Sequence, residues 1–393
     1  MIVDRARHQC TDAACELTAR VRSEAWDREE FTLWYRLPSA VVSDHGSEPD
    51  CSTFVPALLP WCLRRAEPLV VDGPVSPRLL NAVPVSTDVF HAFWPDLITP
   101  VEVSAQASAP TATGTGIGSL FTGGVDSWYT ACTYGRRPYD NGSLTHLVHV
   151  PSISFMYDDA TGARATRAIE VTARSISKTP VIVETNLRRH TERFFHWGHY
   201  HGAVLASIGL AVGLDELLIP ATRSYGYLCA WGSHPFLDPL WSTERTRIVH
   251  HGAEATRWDK IVELSGRPEI LGTLKVCHEE NTDGNCGQCP KCLMTMAMLA
   301  ARGVLDACPF DAPLEARRLS RLKYRDADMK MMRAQVLPEL QPPDLRRALQ
   351  VALLRAGIRG LADDGVSALK TSAPGRFLLH HGWPRHALRT GPE

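Results

Sequence analysis

The chain reads as an α/β protein: a parallel twisted sheet with helices on both faces, a mixed α+β segment before it and a helical extension after it. Three observations predict this. From residue 117 onward short apolar runs alternate with longer amphipathic ones, the pattern of strand–helix repeats. The first run leads straight into a glycine turn, "TGGVDS" over residues 122–127, and then into a helical stretch. Four cysteines crowd into one short segment, Cys277, Cys286, Cys289 and Cys292, while the other seven are spread along the chain.

Taken in order, residues 1–103 are expected to form a unit of their own. Within it "LTARVRSEA" and "EFTLWYRLP" pair as a hairpin across the polar turn "WDRE", and "VVSDHGSEPDCS" is a loop. The stretch after it mixes short helical and extended pieces broken by prolines, and no chemistry is evident there. Residues 104–116, rich in Ser, Ala, Thr, Gly and Pro, read as a linker. The main domain then spans 117–305. "IGSLFT" is a strand and "DSWYTACTYG" a short helix closed by Gly135. "LTHLVHVPSI" is a second strand, and "DDATGARATRAIEVTARSIS" an amphipathic helix with an Asp cap. "TPVIVETN" is the third strand, "RFFHWGHYHGAVLASIGLAVG" one long helix ending at Gly213, and "DELLIPA" the fourth strand. Residues 222–247 are aromatic and lack periodicity, as functional loops do. "TRIVHHG" is a strand, "TRWDKIVELSG" a helix, and "PKCLMTMAMLAARG" a helix after the cysteines. Residues 306–393 are helical and polar, with the basic tail "HHGWPRHALRTGPE".

Bulk numbers exclude some functions. A length of 393 residues suits two or three domains. Lys+Arg (42) and Asp+Glu (43) nearly cancel, whereas a protein that grips a polyanion carries a basic excess, so nucleic acid is not the expected partner. No apolar window is long enough to span a bilayer, and "MIVDRARHQCTDAACELTARV" lacks the apolar core of a signal peptide. A cytoplasmic location is therefore expected, where cysteines serve as thiols or metal ligands rather than disulfides. Of the scattered seven (Cys10, Cys15, Cys51, Cys62, Cys132, Cys229 and Cys308) most are expected as small buried residues, with a sulfur carrier as the alternative for Cys229. A second copy of the chain is the candidate protein partner.

The glycine turn suits a polyphosphate. Gly123 and Gly124 allow positive φ and close approach of backbone, and the following helix offers free N–H groups and a positive dipole end. Thr122 and Ser127 add hydroxyls. Asp126 repels phosphate unless a cation lies between, so the set reads as Mg²⁺–polyphosphate binding. It is neither a Walker loop nor a dinucleotide fingerprint, because both spacings are missing. The cysteine segment, C-x8-C-G-x-C-x-x-C, offers four thiolates for tetrahedral Zn²⁺ with no open position, which makes the site structural. An iron–sulfur cluster and unliganded thiols are the alternatives.

The turn resembles the Ser-Gly-Gly-x-Asp-Ser signature of the PP-loop ATP pyrophosphatases, with Thr122 keeping the hydroxyl where that family has serine. Followed by the cysteine segment, it is similar to the 7-cyano-7-deazaguanine synthase family over roughly residues 117–300. The resemblance implies ATP bound by its β and γ phosphates on Thr122, Gly123, Gly124, Asp126 and Ser127, with cleavage between α and β. It also implies a basic residue at the start of a later helix, and "EATRWDKIVELSG" offers Arg257 and Lys260 one turn apart for the α phosphate. The implied reaction adenylates a carboxylate or amide oxygen and passes the activated carbon to a nitrogen nucleophile. Asp126, Ser127 and Lys260 are then the catalytic set. Met1 is followed by Ile2 rather than cysteine, so free ammonia or an amine is the expected donor. The alternatives are sulfur transfer and a non-catalytic nucleotide-binding module.

The substrate side is read from residue type alone. His196, His199 and His201 do not share one helix face, which argues against a metal triad, but His199 is a candidate for the strand-end crevice. Arg223 follows the fourth strand, and Asp238 and Glu244 in the aromatic loop are candidate bases. The substrate itself, a small-molecule or protein-borne carboxylate or amide, is not specified by these residues.

Overall fold

The computed structural model describes residues 1–371 apart from 25–28, 42–48, 110–113, 155–158, 193–194, 278–283 and 324. Most of the expected turn "WDRE", most of the loop after residue 41, the Asp cap ahead of residue 159 and the basic tail lie outside these residues. Contacts divide the chain into two compact units, Met1–Cys286 with Asp306–Asp311, and Gly287–Leu305 with Ala312–Glu393.

The first unit opens with β1 (Ile2–Val3), β2 (Arg7–Cys10), β3 (Ala14–Arg22) and β4 (Glu30–Pro38). The expected hairpin is β3–β4, antiparallel from Ala14↔Pro38 to Arg22↔Glu30. Cys15, Leu17, Ala19 and Val21 on β3 all turn inward, the period-2 alternation of a one-sided sheet. Helix α1 (Phe54–Arg65) is apolar on nearly every face, and it is buried on nearly every face. After β5 (Leu69–Val75), helix α2 (Pro77–Phe93) starts at Ser76, whose Oγ accepts from the Leu79 amide at 3.0 Å.

The expected linker holds a strand. β6 (Val103–Ala107) pairs parallel with β5 at the edge of the sheet. Its Ser, Ala and Gln side chains are short and polar enough for an edge, so composition alone disguised it. The seven strands of this mixed sheet run β10 (Glu184–Thr185)-β4-β3-β1-β5-β6, with β2 on β3.

The second sheet is parallel throughout and ordered β12 (Arg247–His251), β11 (Glu216–Pro220), β7 (Ile117–Leu120), β8 (His146–His149), β9 (Thr179–Ile182). β7 (Ile117–Leu120), fully buried at its centre, leads into α3 (Val125–Thr133). β8 (His146–His149), α4 (Pro151–Ser154), α5 (Asp159–Ser175) and β9 (Thr179–Ile182) follow. The third expected strand then divides. Glu184–Thr185 leave as β10 and pair with Arg36 and Tyr35 of β4. After α6 (Leu187–Thr191) the single long helix expected from residue 193 is interrupted: Trp197–His199 form a 3-10 turn, with the His196 Nδ1 accepting from the Gly198 amide, and α7 (His201–Val212) begins beyond it. It stops at Gly213, the end expected there, which takes the left-handed φ of 72°. β11 (Glu216–Pro220), β12 (Arg247–His251), α8 (Arg257–Ser265) and α9 (Pro268–Leu271) complete the unit.

The two sheets share one core. Val3, Leu33, Phe54 and Leu58 belong to the same buried cluster as Val204, Ile208, Trp241 and Ile248. Tyr35 and Ser207 meet hydroxyl to hydroxyl at 3.0 Å, and the Thr53 hydroxyl donates to the Ser207 carbonyl at 2.7 Å. Contacts thus divide the chain near residue 287 and not at 104–116.

The second unit is helical: α10 (Pro290–Ala301), α11 (Ala316–Leu319), α12 (Asp326–Met331), α13 (Leu337–Glu339) and α14 (Pro343–Thr371). Among the described residues no helix is long and apolar enough to cross a membrane.

Candidate functional site

The chain leaves β7 for β8 and β9 on one side and returns to β11 on the other. The carboxyl ends of β7 and β11 therefore border a switch-point crevice, the usual ligand position in such sheets. The glycine turn lies at this place. Gly123 takes φ 72°, which an L side chain resists, and its carbonyl accepts from the Lys275 amide at 2.8 Å. Gly124 caps α3 in an extended conformation. Thr122 is exposed; Ser127 is buried, its hydroxyl donating to the Gly124 carbonyl at 3.0 Å and accepting from the Thr122 amide at 3.4 Å.

Asp126 sits in the first turn of α3, where the helix dipole favours an anion. Its carboxylate accepts from Arg257 Nη2 at 2.6 Å and from Lys260 Nζ at 3.0 Å. Both cations come from α8, which opens with a capping box: Thr256 Oγ1 accepts from the Asp259 amide and Asp259 accepts from the Thr256 amide, at 3.2 and 2.9 Å. The cap orients the helix so that residues 257 and 260, three apart, present one face. Lys260 Nζ also donates to the Ala221 carbonyl at 2.5 Å, at the end of β11. Only 1 % exposed, it has its pKa pushed down by burial, an effect that Asp126 opposes. One carboxylate thus faces two cations across the crevice.

Residue type did not single out several neighbours. The Lys260 ammonium lies 5.6 Å from the Tyr129 ring centre, and the Tyr129 hydroxyl donates to Glu254 at 2.9 Å, which also pairs with Arg137. His149 closes the inner strand β8 and His251 the edge strand β12, on either side of the crevice. His149 Nδ1 meets the Phe121 carbonyl at 3.1 Å and His251 Nδ1 meets the Thr130 hydroxyl at 3.1 Å. Burial lowers both imidazoles to about 4. Each His ends an apolar run, "HLVH" and "RIVHH", and a polar residue in that position was the available signal.

The substrate-side candidates fare differently. Arg223 stands just past β11, its guanidinium 5.6 Å from the Trp231 ring centre and its Nε without a partner among the described residues. Tyr225 and Phe236 are exposed in the same loop. Asp238 is instead fully buried, accepting from the Ser233 hydroxyl at 2.7 Å, the His234 amide at 3.3 Å and His250 Nδ1 at 2.7 Å. It organises the loop and is no surface base. Glu244 accepts from the Arg78 amide at 2.9 Å, at the start of α2. A connection between parallel strands must run back to the amino edge, so Glu244, just ahead of β12, lies on the edge away from the crevice. His199 stacks on Phe195 at 5.0 Å and meets Trp94 edge-on at 4.8 Å, as part of an aromatic cluster.

The cysteine expectations divide as well. The thiols of Cys277, Cys286, Cys289 and Cys292 lie within 4.8 Å of one another. Tetrahedral zinc needs sulfurs about 3.8 Å apart, given Zn–S bonds of about 2.3 Å, so the group fits such an ion after small shifts. The Cys292 amide donates to Cys289 Sγ at 3.4 Å, which holds that sulfur at the start of α10. Gly287 takes φ 67° between Cys286 and Cys289, as a tight knuckle requires. Cys51, Cys62 and Cys308 are buried, as expected, but Cys132 is half-buried and Cys229 exposed. Cys10 and Cys15 form a disulfide. They are register partners across β2 and β3, a proximity invisible until the hairpin is known.

Comparison with protein-family models, with curated proteins and with solved structures finds no match to this chain.

Proposed function

We propose that this chain is an ATP-dependent enzyme that forms AMP and pyrophosphate while joining a nitrogen nucleophile to a carboxylate or amide carbon. The observation that carries the reading is the meeting of Asp126, Arg257 and Lys260 at a glycine turn on the switch point of a parallel sheet. Turn amides from Gly123 onward and the N-terminus of α3 suit the β and γ phosphates. Arg257 and Lys260 suit the α phosphate, where charge shifts during attack. With phosphate taking up Arg257 and Lys260, Asp126 would be the residue to hold Mg²⁺, and the ion would screen the phosphate charge.

The substrate oxygen attacks the α phosphorus, the bond to the β-bridging oxygen breaks and pyrophosphate departs. The amine then attacks the activated carbon, AMP leaves with the acyl oxygen, and a proton is lost from nitrogen. Holding both reactants side by side supplies much of the acceleration. Arg223, Trp231 and the exposed Tyr225 form the wall against which the substrate lies. The four-cysteine group holds zinc as a structural ion. Incubation with ATP·Mg²⁺, a panel of carboxylic acids and ammonia is expected to release AMP and pyrophosphate in equal amounts. Release of ADP and phosphate would refute the reading.

Sulfur transfer is the second reading, because Cys229 is exposed within the crevice-side loop. It predicts that Cys229→Ser abolishes product formation, whereas nitrogen transfer is indifferent to that change.

A further inference from the structure

The phosphate turn leans on a neighbouring segment. The Lys275 amide donates to the Gly123 carbonyl at 2.8 Å. A Cβ placed on Gly123 would lie 3.6 Å from Lys275 Cβ and 3.9 Å from the Thr273 carbonyl, and one on Gly124 would lie 3.4 Å from the Lys275 carbonyl. Residues 273–275 therefore roof both glycines at van der Waals distance.

That roof is laced to residues 284–285. Asn285 is 1 % exposed, and its side chain works in both directions. Oδ1 accepts from the Val276 and Cys277 amides at 2.8 and 3.1 Å, and Nδ2 donates to the Leu274 and Pro309 carbonyls at 2.7 and 3.0 Å. Lys275 Nζ donates to the Gly284 carbonyl. The two laced segments end in Cys277 and Cys286, two of the four clustered thiols. A metal ion there closes the lacing at its outer end, as Asn285 closes it in the middle.

We propose that the four-cysteine centre, acting through Asn285 and Lys275, positions the phosphate turn, so that metal occupancy and nucleotide affinity are coupled. With Cys277 and Cys286 drawn onto one ion, the Lys275 amide stays aimed at the Gly123 carbonyl and Gly123 keeps its left-handed conformation. Without the ion, the roof is free to part from the turn. Coupling of this kind is reciprocal: bound nucleotide retards loss of the metal by the factor by which the metal tightens nucleotide. Asn285 and Lys275 are positioning residues. Only the affinity arm of the proposal rests on the nucleotide reading above; the ordering of the turn does not.

The test follows amide exchange in peptides covering residues 119–130 of the full chain, purified with zinc and then stripped by a chelator. Exchange at the turn is expected to rise at least tenfold on stripping, while circular dichroism retains its helical signal. Affinity for a non-hydrolysable ATP analogue with Mg²⁺ is expected to fall at least tenfold, and the analogue is expected to slow zinc release to a chelating dye. Unchanged exchange at the turn overturns the proposal, as does a protein that takes up no metal. Because stripping can loosen the segment broadly, Asn285→Ala is measured with zinc supplied. Faster exchange at the turn supports the proposal whether or not zinc stoichiometry falls, and wild-type exchange overturns it. If the turn responds to zinc but no analogue binds, the ordering of the turn by the metal stands while the nucleotide reading and the affinity arm fail; if the analogue binds and the turn ignores zinc, the nucleotide reading stands and the proposal fails.

Discussion

Lys260 is a lysine almost wholly out of water, held by one carboxylate and one carbonyl. A buried pair gains little stability over an apolar replacement, whereas removing only the acid strands the cation. The two sides of this interaction therefore separate structure from function. Lys260→Met deletes the buried charge and leaves Asp126 its bond to Arg257. The change in unfolding free energy is expected to stay within about 2 kcal/mol, while AMP formation falls roughly a hundredfold or more, as when one transition-state donor is lost. Asp126→Asn leaves both cations without their acid, so it is expected to cost about 3 kcal/mol in urea titration as well as turnover. A Lys260→Met protein of full activity would reduce the cluster to a structural ion pair. At this scale the sequence was informative where a motif fixed the address: Asp126, Arg257 and Lys260 meet. It was uninformative where only residue type spoke, because Asp238 and Glu244 are both acids in a polar loop and nothing local says that one is buried and the other on the far edge.

The strand–turn–helix from β7 through α3 was legible because three local signals agree there: an apolar run, two glycines, then a helical period. The same holds for helix α8 and the Gly213 stop of α7. The misread elements depend on distant partners. β10 exists because β4 offers an edge, and α7 starts late because the segment before it is crossed by another loop. That crossing is set by two glycines. A Cβ on Gly202 would stand 2.3 Å from the Gly232 carbonyl, and a Cβ on Gly232 would stand 2.4 Å from the Tyr200 amide nitrogen. Backbone cannot retreat as a side-chain tip can. Gly232→Ala is therefore expected to destabilise by about 2–3 kcal/mol through overpacking. Gly123→Ala meets no clash and is expected to cost only about 1–2 kcal/mol, from its positive φ. Equilibrium denaturation of both variants ranks them; the opposite order would mean that the crossing adjusts more readily than the turn.

The whole molecule should carry the sheet's buried histidines as an acid sensitivity. His149 and His251 are 1 % and 5 % exposed, and their Nε2 atoms find no partner among the described residues, so a protonated ring gains no acceptor there. Burial lowers both from the ordinary 6.5 to about 4. Between those limits the unfolded chain binds protons that the folded one refuses, so stability rises with pH across that window. The contribution is fully present above the unfolded value and drains away as pH falls toward about 4, with no further loss from these groups below it. A shift of this size corresponds to about 3 kcal/mol per histidine at most, which two such groups make a large part of a typical stability of about 5–15 kcal/mol. His8, His146 and His234 are displaced in the same direction by burial and steepen the slope. Urea midpoints are thus expected to fall steadily from neutral pH toward pH 4.5. Carboxylates that protonate in the same range also contribute, so the wild-type slope alone does not identify the cause. His149→Gln keeps a side-chain donor for the Phe121 carbonyl and cannot take up a proton, and it should flatten the slope over that window while lowering stability at neutral pH only modestly. A His149→Gln profile parallel to wild type would mean that this imidazole opens to water and charges within the folded sheet.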